Sequence, residues 1–163
     1  MRRSLVLVAV AGIAATAAPA AHAAPTCSKT SAMDRIEANA PFVAAIRKTG
    51  ALQPDESVSD VFGIADITCA DLTGDKRKEM TVTLDCCTAA SPTPFAIFTA
   101  KDDGWKLAYR TTKLLISDQR RKGQKIILTH PVYKRTDALC CPSSMRDYTV
   151  AYKDGEFHRR AST

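Results

Sequence analysis

Two pairs of neighbouring cysteines, Cys86-Cys87 in LDCCTA and Cys140-Cys141 in ALCCPSS, stand out for chemistry, and Cys27 and Cys69 complete a set of six. Four thiolates can hold zinc tetrahedrally, but structural zinc sites separate paired ligands by a few residues, and side chains adjacent on a strand point to opposite faces. A thioredoxin-like redox centre needs Cys-x-x-Cys, which the chain lacks. A bond between the members of one doublet is the strained option. An even cysteine count in an exported chain favours disulfides between elements, and that is the expectation for all six.

The second chemical stretch is ADLTGDKRKEMTVTL, which sets Asp71, Thr73, Asp75, the Arg77 carbonyl and Glu79 at alternate positions. Oxygen ligands so spaced around a tight turn suit a hard cation such as calcium. Lys76 stands where glycine is usual, Lys76, Arg77 and Lys78 oppose a divalent cation, and Val82 cannot supply a closing carboxylate. A structural hairpin turn is the expectation here, with a weak calcium site as its alternative and no other cofactor. The stretch resembles the DLNGDG turn of FG-GAP repeats, in a single copy.

Nucleophilic chemistry has little to work with. Beyond residue 23 the histidines are His130, within ILTHPVY, and His158, near the C-terminus. No G-x-S-x-G elbow, H-E-x-x-H helix or Walker loop occurs. The carboxylate pairs Asp66 with Asp71 and Asp102 with Asp103 read as a strand face and a turn rather than as two acids facing across a cleft. The basic runs Lys76-Arg77-Lys78 and Arg120-Arg121-Lys122 read as hairpin tips, with Arg159-Arg160 near the end. They lack the interleaved aromatics that stack nucleic-acid bases, so no nucleic-acid partner is expected.

The elements that must position these groups follow from patterning. MRRSLVLVAVAGIAATAAPAAHA has two arginines, a short apolar run and an A-x-A ending, the layout of a cleaved secretory signal over residues 1–23. The run is too short to span a bilayer. Of 163 residues, 140 then remain as one exported domain over 24–163, and the formal charge of +6, less Arg2 and Arg3, becomes +4. From Ser31 to Thr49 the residues Met33, Ile36, Ala40, Val43 and Ile46 recur at helical spacing. Gly50 stops the run, and Pro41 either kinks it or opens a second helix capped by Asn39. In EMTVTLDC, Met80, Val82, Leu84 and Cys86 alternate with Thr81, Thr83 and Asp85, predicting a strand buried on one side. Further strands are expected near 64–70, 94–101, 104–110, 113–117, 124–133, 146–153 and 156–160. The predicted fold class is α+β, with one or two N-terminal helices packed on an antiparallel meander sheet and stapled by disulfides.

In such a meander alternate turns share an end. The 71–78 and 118–124 turns then meet, bringing Lys76, Arg77 and Lys78 beside Arg120, Arg121 and Lys122 as a cationic rim for an anionic envelope polymer or an acidic protein. The 87–94 and 135–145 loops meet at the opposite end, which favours Cys86 and Cys87 joined to Cys140 and Cys141 and leaves Cys27 for Cys69.

DLTGDxxxE, an alternating strand ending in cysteine, PVY at 131–133, CCPS at 140–143 and Y-x-D-G-x-F at 152–157 follow one another in order. The series resembles small exported bacterial proteins grouped with the LppP/LprE lipoprotein family, over roughly residues 60–160. The resemblance implies a cell-envelope location and carries no catalytic group; the residues before Cys27, APT, depart from a lipobox. The sequence thus predicts a secreted, periplasmic or envelope binding protein without catalysis. The alternatives are a small secreted hydrolase with an unrecognised carboxylate site, or an inhibitor presenting the 89–94 or 134–144 loop.

Overall fold

The structure, a computed structural model, describes residues 25–86, 91–101, 104–138 and 140–162. The expected signal over 1–23, Cys87, Asp102 and Asp103 lie outside the described residues.

Pro41 divides the N-terminal helical run in two. Helix α1 (Lys29–Glu37) starts at Ser28, whose hydroxyl accepts the Ser31 N–H at 3.1 Å. Helix α2 (Ala40–Arg47) starts at Asn39, whose side chain accepts the Phe42 N–H at 3.0 Å, with Pro41 in the first turn where no N–H is required. A single turn, α3 (Val58–Val61), is closed by a Ser57/Asp60 capping box. Ala32, Ile36, Phe42, Ile46 and Val58 turn inward, and none is more than 1 % exposed. No described helix is long and apolar enough to cross a membrane.

Two four-stranded antiparallel meanders follow, so the expected α+β class and meander topology hold, with the strands divided between two sheets. The first sheet runs β1 (Gly63–Ala70), β2 (Glu79–Asp85), β3 (Phe95–Lys101) and β4 (Gly104–Thr111). The second runs β5 (Asp118–Lys122), β6 (Lys125–Val132), β7 (Ser144–Lys153) and β8 (Glu156–Ala161). Their turns are encoded locally. Gly123 at φ +61 opens the two-residue β5–β6 link, and Asp154 and Gly155 are both at positive φ in the β7–β8 link, as a type I′ hairpin requires.

The helices cover one face of the first sheet. Met80, Val82, Leu84, Ala96, Phe98 and Trp105 pack there against Ile36, Phe42 and Ile46. The other face packs on the second sheet, where Phe95 and Ile97 meet Ile126, Leu128, Val150 and Phe157. The order of layers is therefore helices, sheet, sheet. Each large apolar side chain removed from water in this way contributes about 1.5–3 kcal/mol before entropic costs.

This layering corrects two sequence expectations. Strand β2 is buried on both faces rather than one: Thr81 is 0 % and Thr83 4 % exposed. Their hydroxyls are tolerated because Gln119 of β5 answers them, accepting from Thr83 Oγ1 at 2.6 Å and donating to Thr81 Oγ1 at 3.1 Å. The expected strand at 113–117 is instead the connection between the sheets, and the strand is 118–122. Gln119 places β5 above β1 and β2, whereas Arg159 of β8 donates to Thr111 of β4 at 3.2 Å. The chain must therefore cross the end of the sandwich between β4 and β5. Leu114 and Ile116 are buried in that crossing and Thr93 binds it on both sides, donating its N–H to the Leu114 carbonyl at 2.7 Å and accepting the Ile116 N–H at 3.1 Å.

The Cys27–Cys69 bond forms as expected and ties the segment before α1 to β1. Trp105 reinforces it by donating its indole N–H to the Thr26 carbonyl at 3.1 Å. Cys140 is bonded to Cys141, not to the Cys86 doublet as the meander count suggested. The two cysteines follow one another in a tight loop, closed by Cys141 N–H to the Ala138 carbonyl at 2.9 Å, which presents both sulfurs together.

Candidate functional site

The 71–79 turn is held by its own backbone. Asp71 accepts the N–H groups of Gly74 at 2.6 Å and Lys76 at 3.0 Å, and Asp75 accepts that of Arg77 at 2.8 Å. These contacts carry the chain through positive φ at Gly74 and Lys76. Thr73 accepts the Asp75 N–H at 3.4 Å. Glu79, 1 % exposed, points back into the turn, accepting the N–H groups of Leu72 at 2.6 Å and Thr73 at 3.2 Å. Burial raises the Glu79 carboxyl above the usual range, against the pull of those two N–H groups. Asp71, Thr73, Asp75, Arg77 and Glu79 thus share one turn, and its carboxylates serve as acceptors for its N–H groups. Among the described residues no group of three or more His, Cys, Asp or Glu has a metal-holding arrangement.

The turns that adjoin the two basic runs approach one another. A Cβ built on Gly74 would lie 3.0 Å from the Gln124 amide nitrogen, so the turn carrying Lys76, Arg77 and Lys78 abuts the β5–β6 turn. Their character differs from the tips the sequence suggested, because Arg120, Arg121 and Lys122 lie within β5. Arg120 is tied to Asp118 at 3.1 Å, to Thr129 at 2.8 Å and to Asp147. Thr129 and Arg120 together hold the Asp147 carboxyl below its ordinary range. Arg121 donates to the Gly123 carbonyl at 2.7 Å.

Register then shows what these cations face. On the outer side of the second sheet Arg120, Ile127, Thr149 and Arg160 form one row across the four strands, and Lys122, Lys125, Ala151 and His158 form the next. Neither row contains a carboxylate; Asp118 and Asp147 sit in the row beyond Arg120. Lys122 stands directly opposite Lys125, a like-charge pair that works against the sheet. Between the long cationic side chains the short Thr149 and the buried Ile127 leave a groove of about 530 Å³, bordered by Arg120, Lys122, Lys125, Asp147 and Ser162. Lys125 escaped sequence reasoning, and Arg160 was noted there as part of a terminal basic pair but not placed beside the other cations. The Gly123-Gln124 hairpin signal was the available clue, since a two-residue link fixes Lys122 opposite Lys125.

At the other end of the sandwich the two cysteine-bearing loops border one hollow of about 480 Å³, as the meander count anticipated. Cys86 and Cys140 line it with Pro92, Leu115, Tyr133 and Met145, and Asp85 is the charged group among its described lining. The 134–143 loop is clamped by Asp137, which accepts the N–H groups of Lys134 at 2.6 Å and Ser143 at 2.8 Å and the Ser143 hydroxyl at 2.6 Å.

Of the candidate acid–base groups, His130, Asp66 and Asp71 are each engaged within the fold. His130 Nδ1 lies 2.8 Å from the Leu115 carbonyl, with its ring against Tyr148. Asp66 accepts from Gln119 at 3.3 Å, and Asp71 is spent on its turn. No family model, curated protein or solved structure matches the chain.

Proposed function

We propose that the protein is an exported, disulfide-stabilised, non-catalytic binding protein of the cell envelope, and that its outer β-sheet face holds an anionic polysaccharide. The carrying observation is the pair of adjacent rows on β5–β8, which hold Lys122, Lys125 and Arg160 beside the carboxylate-paired Arg120 and contain no carboxylate of their own. Such a surface attracts a polyanion, most strongly at low salt. The chemistry of the face favours a hydrated polymer over other anionic partners. Ile127 is only 8 % exposed, so no large apolar side chain is offered to a lipid or to a protein hot spot, and neither row has a Phe, Tyr or Trp as a stacking platform for bases. The hydroxyls of Thr149 and Ser162, and the backbone around Gly123, supply neutral partners for sugar hydroxyls along the groove.

The test is co-sedimentation of the oxidised protein with envelope polysaccharide extract, with calcium and with chelator. The reading expects retention that salt removes, unchanged by chelator, and lost in Lys122→Glu/Lys125→Glu. Equal retention of that variant would overturn it.

A further inference from the structure

Cys140–Cys141 is built unlike the other disulfide. Cys27–Cys69 joins residues 42 apart and packs half-buried against the helical core, so it constrains the unfolded chain. Cys140 and Cys141 are adjacent, and a bond between neighbours closes no loop worth the name. Nor is the bond needed to shape its surroundings, because Asp137 already gathers Lys134 and Ser143 across the loop. Both cysteines are solvent-exposed, and Cys140 stands at the lip of the end hollow beside the exposed Tyr133 and Met145. A disulfide that staples nothing, lies open to attack and borders a cleft is placed for chemistry.

We propose that Cys140–Cys141 is a thiol–disulfide exchange site that takes two electrons from a dithiol, such as the active site of a dithiol oxidoreductase. A thiolate of the dithiol attacks one sulfur of the pair, forming a mixed disulfide as the Cys140–Cys141 bond breaks. The departing sulfur leaves as thiolate and takes up a proton. The second thiol of the reductant then attacks the mixed disulfide, releases the remaining cysteine as thiol and closes the reductant's own disulfide. The hollow gives the incoming loop an apolar surface to rest on, from Tyr133, Met145 and Pro92.

The experiment treats the folded, oxidised chain with increasing dithiothreitol, and separately with a reduced thioredoxin-class protein, then alkylates free thiols and maps peptides. Cys140 and Cys141 should be alkylated together at reductant concentrations at least about tenfold below those that expose Cys27 and Cys69, with the fold retained by circular dichroism. The thioredoxin-class protein should lose two electrons per chain to this pair. A Cys27→Ser/Cys69→Ser variant that remains folded should keep the same labelling at the doublet. Reduction of Cys27–Cys69 first or in step, no electron transfer from the protein dithiol, or a non-reduced map joining Cys140 or Cys141 to a cysteine other than its neighbour would each overturn the assignment.

Discussion

Glu79 and Gln119 are polar side chains that the fold has taken inside, and each is kept there by the groups it answers. Removing the Glu79 carboxylate as Glu79→Ala orphans the Leu72 and Thr73 N–H groups and leaves a void; the expected loss is about 2–4 kcal/mol in denaturant unfolding. Glu79→Gln keeps an acceptor oxygen for both N–H groups and should lose less than about 1 kcal/mol. The two variants also separate by pH. Because burial raises the Glu79 carboxyl, the native state holds that proton at a pH where the unfolded chain has released it. Its contribution to stability is therefore largest in acid and declines as pH rises from the ordinary carboxyl range through the raised value. Glu79→Gln should gain on the parent protein across that rise. Asp137 has the opposite sign. The Ser143 hydroxyl, with the N–H groups of Lys134 and Ser143, lowers its carboxyl, so its contribution is present above the ordinary aspartate range and is lost as pH falls through the lowered value. Asp137→Ala should blunt the acid limb of a stability–pH curve, and a limb of unchanged shape would contradict the clamp.

At the scale of elements, local rules carried most of the prediction and layering carried the corrections. Asn39 and Pro41 write the helix break in their own side chains, and hairpin glycines mark the β5–β6 and β7–β8 turns, so these were legible residue by residue. The burial of Thr81 and Thr83 was not, because threonine alternating with Met80 and Val82 is the pattern of a solvated face until Gln119 arrives from a strand 36 residues on. The 113–117 run failed for a related reason. Leu114 and Ile116 are apolar because they plug the end of a sandwich, and a crossing strap and a strand read alike when both bury alternate side chains. The disulfides divide at this scale too. Breaking Cys27–Cys69 with serines should lower stability by about 4 kcal/mol in the chain-entropy model, given its separation of 42 residues. Cys140→Ala/Cys141→Ala should cost less than about 1 kcal/mol, and thermal unfolding of the two double variants side by side checks the contrast.

For the whole molecule the sandwich separates two chemistries. The β1–β2 and β5–β6 turns gather lysines and arginines at one end and continue onto the outer rows of the second sheet. The opposite end carries the apolar hollow, with Cys86 and Cys140 in its lining. Turn counting anticipated that polarity even though it assumed one sheet, since splitting a meander into two stacked meanders leaves alternate turns at the same ends. It overvalued Arg120, whose charge is answered by Asp118 and Asp147, and had no means of placing Arg160, which enters the cationic row through β7–β8 register. The most direct measurement is the affinity for a polyuronate, with neutral dextran alongside, by calorimetry at low and at physiological salt, for the parent protein and Lys122→Glu/Lys125→Glu. The account predicts polyuronate binding that weakens with salt, at least about a tenfold loss in the variant at low salt, and no binding of dextran. Equal affinity of parent and variant, or equal binding of dextran and polyuronate, would contradict it.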